Sequence, residues 1–160
     1  LHRIEASVQI KTFADIEQEF IERVHRYVLC SAATVDRQQR PRSRILHPIW
    51  EGATGWVLTH RHSHKSHHLA HNPYVSLAYI ADPMKPVYAD CVAEWVDDFA
   101  QKQRIWDKFK NTPEPLGYDP ALTFGQLDEN CGLLKLTPWR IALISFPAPS
   151  HEEGERVWRR

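Results

Sequence analysis

The chain has 160 residues, of which 42% are hydrophobic and 25% are charged, proportions typical of one soluble globular domain. We therefore predict a single domain over residues 1–160. The 20 basic and 20 acidic residues cancel, so the overall charge favours neither nucleic acid nor an anionic membrane as a partner. No apolar run approaches the roughly 18 residues of a membrane span.

Three cysteines, Cys30, Cys91 and Cys131, lie far apart in the sequence and form no CxxC motif. An odd number at wide spacing argues against a disulfide framework and against a structural zinc site. The sequence therefore predicts a reducing, cytoplasmic environment and no metal ion.

The first half of the chain predicts one helix followed by two successive β-hairpins. Residues 12–28 predict the helix, because Thr12 and Asp15 form a capping pair and apolar residues recur at helical spacing. Three strands with two polar turns between them are then predicted at 28–36, 42–50 and 55–60, with the turns at 37–41 and 51–54. Two such hairpins indicate an antiparallel meander.

The second half predicts two helices and further strands. Ser63 is a candidate cap of a short helix over 63–72, and Pro73 ends it. The remaining elements are strands at 74–81 and 87–96, a helix from Asp97–Asp98, a proline-rich loop at 111–120, and a strand pair within 131–146 that breaks at Thr137–Pro138. Few strands are joined by long helical crossovers, so a parallel sheet is not expected. About six strands predict a mainly β fold, a small antiparallel barrel with helices at its edges.

Basic and hydroxyl side chains are predicted to meet where the second hairpin leads into the short helix. Arg42 and Arg44 are two residues apart on one strand, so their side chains share a face. The next strand ends at Thr59 and leads to Ser63 and Lys65 at a helix start, where free N–H groups and the helix dipole favour an anion. This combination suits a phosphate monoester. The alternative is two solvated arginines beside a capped helix.

The stretch from Leu58 to Pro73 also holds six of the ten histidines. Four of them form a stripe at helical spacing, a pattern that can bind zinc, at positions His64, His67, His68 and His71. The stretch contains no cysteine and no carboxylate. We therefore expect the outer histidines to form a solvated face, and His64, at the helix start, to face the phosphate.

Two segments resemble the core of the pyridoxamine 5'-phosphate oxidase-like, FMN-binding split-barrel family. They are PRSRILHPIW at 41–50 and GWVLTHRHSHKSHHLAHNPYVSLAYI at 55–80. The shared pattern is an arginine-bearing strand, a strand ending in threonine, a Ser-x-Lys helix start and the motif Asn-Pro-x-Val-Ser-Leu, here beginning at Asn72. The resemblance covers about residues 28–96. It implies a mainly β, six-stranded antiparallel split β-barrel that binds FMN non-covalently as a homodimer.

The resemblance also implies individual roles. The FMN phosphate and ribityl chain would be held by Arg42, Arg44, Ser63, His64 and Lys65. The isoalloxazine edge would lie along the backbone of Ser43, Ile45 and Leu46, and the ribityl side would be lined by Leu58 and Thr59. Two such sites would form across a homodimer interface, where Trp139 or Arg140 would reach the flavin of the partner. The implied activity is hydride transfer between a reduced donor and an unknown small molecule.

The sequence departs from the oxidase proper in its substrate site. His47 stands where the oxidase has a lysine, and the arginine-rich motifs for a substrate phosphate are absent, so no catalytic residue is assigned; His47 is the one candidate near the ring. Three alternatives stay open. A deazaflavin would use Arg61 and Lys85 as further basic groups, haem would use the histidine stripe as an axial ligand, and a stress or sensor module would bind flavin without turnover.

Overall fold

Strands and short helices account for most of residues 7–147 and 154–160, the part of the chain that this computed structural model describes. The strands are β1 (Val8–Ile10), β2 (Cys30–Val35), β3 (Pro41–Leu46), β4 (Ile49–Glu51), β5 (Thr54–His60), β6 (Tyr74–Tyr79), β7 (Val87–Val96), β8 (Cys131–Ile144) and β9 (Glu155–Arg159). The helices are α1 (Glu17–Tyr27), α2 (His64–His71), α3 (Phe99–Asn111) and α4 (Ala121–Phe124), with a 3-10 turn at Phe13–Asp15. The predicted mainly β fold is confirmed, with nine strands where the sequence predicted about six.

The strands form one sheet in the order β1-β9-β8-β7-β6-β2-β3, while β5 pairs with β8 and β4 pairs with β5. All of these pairs are antiparallel except β1 with β9. The prediction of a purely antiparallel barrel is therefore wrong for this one pair. A parallel pair needs a long connection, and nearly the whole chain separates β1 from β9.

Strand β8 pairs with three other strands, β5, β7 and β9. One of its edges pairs with β7 over most of its length, while the other edge pairs with β5 over 131–136 and with β9 over 140–144. Asp90 of β7 pairs with Arg140 and Cys91 with Pro138, which leaves Trp139 as the extra residue of a bulge. Pro138 has no N–H to donate, and bulges tolerate such a residue. The predicted break at Thr137–Pro138 is therefore a bulge within one strand.

The predicted strand 42–50 is two strands, because the chain turns at His47 and Pro48 between β3 and β4. Nε2 of His47 donates to the carbonyl oxygen of Leu116 at 2.6 Å, and the proline cannot donate to a ladder. The C-terminal tail, which the sequence left without a predicted element, contributes β9.

Two apolar clusters form the core. The larger one lies under α1 and contains Phe20, Trp50 and Tyr79; Trp50 Nε1 donates to the Tyr79 hydroxyl at 2.9 Å. The smaller one lies under α3 and contains Trp56 and Phe109. None of the described helices combines the length and the apolar character needed to cross a membrane.

Candidate functional site

The candidate site lies where α2 packs against the β2–β3 hairpin. Leu69 is buried in the larger core cluster and fixes α2 on the sheet. β3 stands at the end of the strand order, so its outer edge has no strand partner among the described residues. Arg42 and Arg44 alternate with Ser43 and Ile45 along this edge strand.

Lys65 is the buried lysine of the site, with 9% of its surface exposed. Its Nζ atom donates to Ser63 Oγ at 2.9 Å, and no carboxylate of the described residues forms an ion pair with it. Burial lowers the pKa of Lys65, and the neighbouring Arg44 lowers it further. The ammonium group is therefore a desolvated cation without a counter-ion among the described residues.

Arg44 is the second such cation. It is half-buried, and its Nη1 atom donates to the carbonyl oxygen of Ala32 at 3.2 Å. Burial, and then the charge of Arg42, lower the pKa of Arg44. Arg42 itself lies 3.7 Å from the Asp36 carboxylate, which also binds Arg40 at 3.0 Å. The site therefore carries an excess of positive charge.

Ser63 occupies the N-cap position of α2, but its side chain makes no capping hydrogen bond. The predicted cap is thus wrong in its contacts, because the hydroxyl accepts from Lys65 instead. The first N–H groups of an α-helix have no partner within the helix. The Ser66 N–H donates to the Ser63 carbonyl oxygen at 2.9 Å. The N–H groups of His64 and Lys65, which have no partner among the described residues, remain available to an anion beside the exposed His64 side chain.

The remaining predicted residues differ in what they can offer a ligand. The Leu58 side chain is buried in the smaller core cluster, so a ligand could reach this residue through its backbone alone. Thr59 is half-buried. Residues 57–60 pair with β8 on one edge and have no strand partner on the other edge among the described residues.

Ser43 and Ile45 are exposed, and they point to the opposite face of β3 from Arg42 and Arg44. A ligand lying along the edge of β3 could contact the backbone of Ser43 and Ile45 and the side chains of Arg42 and Arg44. Their predicted role, which was a backbone role, stays a prediction.

Trp139 is 42% exposed at the bulge of β8. Arg140 is paired with Asp90 at 3.2 Å and with Glu155 at 3.5 Å. Of the two residues predicted to reach a partner, Trp139 is therefore the one with an unengaged side chain.

His47, the one predicted candidate for proton transfer, is engaged in packing. Besides its hydrogen bond to Leu116, its ring contacts those of Tyr118 and Phe109, with centroids 5.0 and 5.8 Å away. Burial lowers the pKa of His47. These contacts indicate that His47 stabilises the fold at this turn.

Four histidines of the stretch besides His64 are exposed, as a solvated face requires: His60, His62, His67 and His71. His68 is different, because it is half-buried and its Nδ1 atom lies 2.9 Å from Thr34 Oγ1. Among residues 7–147 and 154–160, no group of three His, Cys, Asp or Glu side chains could hold a metal ion.

Sequence reasoning did not place Thr34, Asp36 or His68 in the site. Thr34 pairs with Arg42 across the hairpin. Because the predicted 37–41 turn fixes this register, the sequence could have indicated that Thr34 lies beside the arginines. The further basic residues proposed for a deazaflavin are engaged away from the two cations. The Arg61 guanidinium stacks on Trp95 at 4.4 Å and lies 3.6 Å from Asp97, and the Lys85 carbonyl accepts from Tyr27 of α1 at 3.0 Å.

A family model described as pyridoxamine 5'-phosphate oxidase matches residues 16–127, which include the β2–β3 hairpin and α2. The chain belongs to this family. The resemblance inferred from the sequence is thereby confirmed. The sequence matches none of the curated proteins.

Solved structures share the fold of the pyridoxamine 5'-phosphate oxidase family at low sequence identity. A Clostridium acetobutylicum protein related to general stress protein 26 has a TM-score of 0.70 and 13% identity, over 91% of this chain and 94% of that one. A Nostoc punctiforme protein, described as pyridoxamine 5'-phosphate oxidase-related and FMN-binding, has a TM-score of 0.63 and 13% identity, over 94% and 99%. HutZ from Vibrio cholerae, described as a haem storage protein, has a TM-score of 0.58 and 20% identity, over 77% and 89%.

Proposed function

We propose that this chain binds FMN non-covalently and that Arg44 and Lys65 neutralise the phosphate group of the cofactor. The observation that carries this proposal is the pair of cations beside the start of α2, a half-buried guanidinium and a buried ammonium without a carboxylate partner among the described residues. A phosphate dianion would offset their mutual repulsion and accept hydrogen bonds from their unused donors. FMN carries such a phosphate monoester.

The two cations and the helix start would share the phosphate oxygens. Lys65 contributes a buried positive charge. Electrostatic attraction to the phosphate is stronger there than in bulk water, because the dielectric constant is lower. Arg44 is held by Ala32, so little side-chain freedom is lost on binding. The N–H groups of His64 and Lys65 at the start of α2 would bind the remaining oxygens. The hydroxyl of Thr59 and the open edge of β3 are left for the ribityl chain and the ring.

We propose further that the protein is an FMN-dependent oxidoreductase that acts on a small molecule. Bound FMN would supply the hydride- and electron-transfer chemistry. The chain would hold the phosphate, orient the ring along β3 and keep water away from the buried ammonium. His47 is bonded to Leu116, so we assign no acid or base among the residues of the site.

A homodimer with FMN sites at the interface is part of this proposal. Tyr74 and Trp139, which are 57% and 42% exposed, line an apolar cleft of about 300 Å³ together with Val35 and Pro41. Large aromatic residues that surround an apolar cleft on a surface are typical of protein interfaces. A second copy of the chain would cover them.

A cytoplasmic location is also proposed. Cys30, Cys91 and Cys131 are buried and free of disulfides. Buried free thiols are usual in a reducing compartment.

Haem is the second candidate ligand. The exposed imidazoles of His64, His67 and His71 on α2 offer axial ligands, and HutZ, a haem storage protein, shares the fold. The absorption spectrum of the purified protein, which shows either flavin bands or a sharp Soret band, separates the two cofactors. Turnover with a reduced nicotinamide donor separates an oxidoreductase from a non-catalytic flavin-binding module.

The test of FMN binding is a titration of the purified protein, followed by flavin fluorescence. We expect saturable binding of FMN at micromolar or lower concentration. Riboflavin, which has the same ring and no phosphate, serves as the matched control and should bind much more weakly. Equal affinity for FMN and riboflavin would exclude the phosphate site, and no binding of either would exclude the proposed cofactor.

A further inference from the structure

His68 lies on α2 three residues after Lys65, a spacing that places both side chains on the same side of the helix. Thr34, whose Oγ1 atom is 2.9 Å from the Nδ1 atom of His68, is 2% exposed and pairs with Arg42 across the hairpin. The imidazole is therefore fixed over the strands that carry the proposed phosphate ligands. Its Nε2 atom has no hydrogen-bond partner among the described residues.

Charged and titratable groups face His68 from three parts of the chain. The charged ones are Arg42 and Arg44 on β3 and Asp36, Arg37 and Arg40 in the hairpin turn, and α2 adds the imidazoles of His64 and His67. The Asp36 carboxylate is already satisfied, because it binds Arg40 and accepts from the N–H groups of residues 38 and 40. The surroundings of the imidazole are thus strongly positive while the site holds no anion.

A positive environment opposes protonation. Burial, then Arg44 and then Arg42 lower the pKa of His68, and Asp36 opposes them. A dianion placed between Arg44 and Lys65 would reverse the sign of the local charge. The Nε2 atom could then take up a proton while Nδ1 keeps its contact with Thr34.

We propose that His68 is a proton-linked ligand of the phosphate site: a phosphate dianion that binds between Arg44 and Lys65 causes the imidazole to take up one proton from solvent. This inference rests on the proposed function and adds to the site a residue that the sequence assigned to a solvated face. The ligand class is a phosphate monoester in its doubly charged form.

Linkage fixes the direction of the effect. If the pKa of His68 is higher in the complex than in the free protein, the affinity for the ligand rises as the pH falls between the two values. Protonation of the phosphate itself, which has its second pKa near ~6, weakens binding in the same range. A variant without the imidazole is therefore needed to isolate the contribution of His68.

The experiment is calorimetric titration with FMN in two buffers of different ionisation enthalpy, which counts the protons taken up. Wild type is compared with His68→Gln and with His67→Gln, the matched control from the exposed neighbour. Near pH ~6.5, the ordinary pKa of histidine, we expect wild type and His67→Gln to take up a larger fraction of a proton than His68→Gln. The affinity ratio of wild type to His68→Gln should rise about three- to tenfold from pH ~8 to pH ~6, because one unit of pKa shift corresponds to a factor of ten.

Equal proton uptake by wild type and His68→Gln, with FMN bound by both, overturns this inference and leaves the proposed cofactor intact. Failure of wild type to bind FMN at any pH overturns both. If His68→Gln does not fold, NMR of the wild-type protein with 15N-labelled histidine decides the matter. The pKa of the imidazole assigned to His68 should rise when FMN is added, and no rise at His68 overturns the inference.

Discussion

Ser63 and Lys65 are joined by a hydrogen bond of 2.9 Å between Ser63 Oγ and Lys65 Nζ, although Ser63 stands where a serine usually caps a helix. The hydroxyl orients the buried ammonium and makes no capping hydrogen bond, so the N–H groups of His64 and Lys65 have no partner among the described residues. Both effects favour an anion at this point. The helix therefore lacks one capping hydrogen bond, and the proposed phosphate site gains two free N–H donors.

Removal of either cation should weaken FMN binding. For Arg44→Ala and for Lys65→Ala we expect a loss of about 1.5–3 kcal/mol each, the usual range for a hydrogen bond to a charged group. Flavin fluorescence titration measures it. Lys85→Ala is the control, because this lysine lies beside α1. FMN affinities like that of wild type in both site variants would contradict the assignment.

The same buried charge should not stabilise the ligand-free protein. Lys65→Met keeps the length of the side chain and removes the charge, so we expect a free energy of unfolding equal to that of wild type or higher by up to about 2 kcal/mol. Urea denaturation in phosphate-free buffer measures it. Lys135→Met, which removes a lysine paired with Glu94 at 2.9 Å, is the surface control and should change stability by about 0.5 kcal/mol or less. A loss above about 1 kcal/mol in Lys65→Met would show that an anionic group pairs with the ammonium in the ligand-free protein.

The hydrogen bond between Trp50 and Tyr79 should contribute to the stability of the core. Tyr79→Phe leaves the buried Trp50 Nε1 without its acceptor, and an unsatisfied buried donor costs about 1–3 kcal/mol. Denaturant unfolding should show a lower midpoint at an unchanged slope. In a double-mutant cycle, Tyr79→Phe should cost much less in a Trp50→Phe background, where the donor is gone. Equal costs in both backgrounds would show that the hydrogen bond contributes nothing.

His25 should make stability dependent on pH. Its Nε2 atom accepts from the Trp50 backbone N–H at 3.0 Å, and burial, then Lys108, lower the pKa of His25. The folded state therefore binds fewer protons than the unfolded state between the lowered pKa and the ordinary value of 6.5. The free energy of unfolding should fall as the pH is lowered through this interval. Denaturation at a series of pH values should show a smaller fall in His25→Gln, and an identical fall would exclude His25 as the cause.

Trp139 should be required for self-association. Trp139→Glu places a charge beside the apolar cleft, and the cost of burying that charge should shift the protein towards the monomer. Sedimentation velocity of wild type and variant measures the change. Leu122→Glu is the control, because Leu122 on α4 is 87% exposed and does not line the cleft. A monomeric wild type would contradict the proposed dimer, and a dimeric Trp139→Glu would place its interface elsewhere.

Local features of the sequence were sufficient for the β2–β3 and β4–β5 hairpins and for the position of α2. Alternation along a strand places Arg42 and Arg44 on one face, and the segment that follows β5 begins a helix at His64, as the polar stretch and Pro73 predicted. These inferences succeeded because strand alternation, turn composition and helix boundaries depend on residues close together in the chain.

The contacts that give the site its chemistry depend on residues distant in sequence. The burial of Lys65, the hydrogen bond of His68 to Thr34 and the fixing of His47 by Leu116 all require elements to pack together. The same holds for the bulge at Trp139 and for the parallel pairing of β1 with β9. Sequence composition thus determined which charged and polar groups the protein possesses. Only tertiary packing decided which of them lose their water and their counter-ions, because desolvation is a property of neighbours in space.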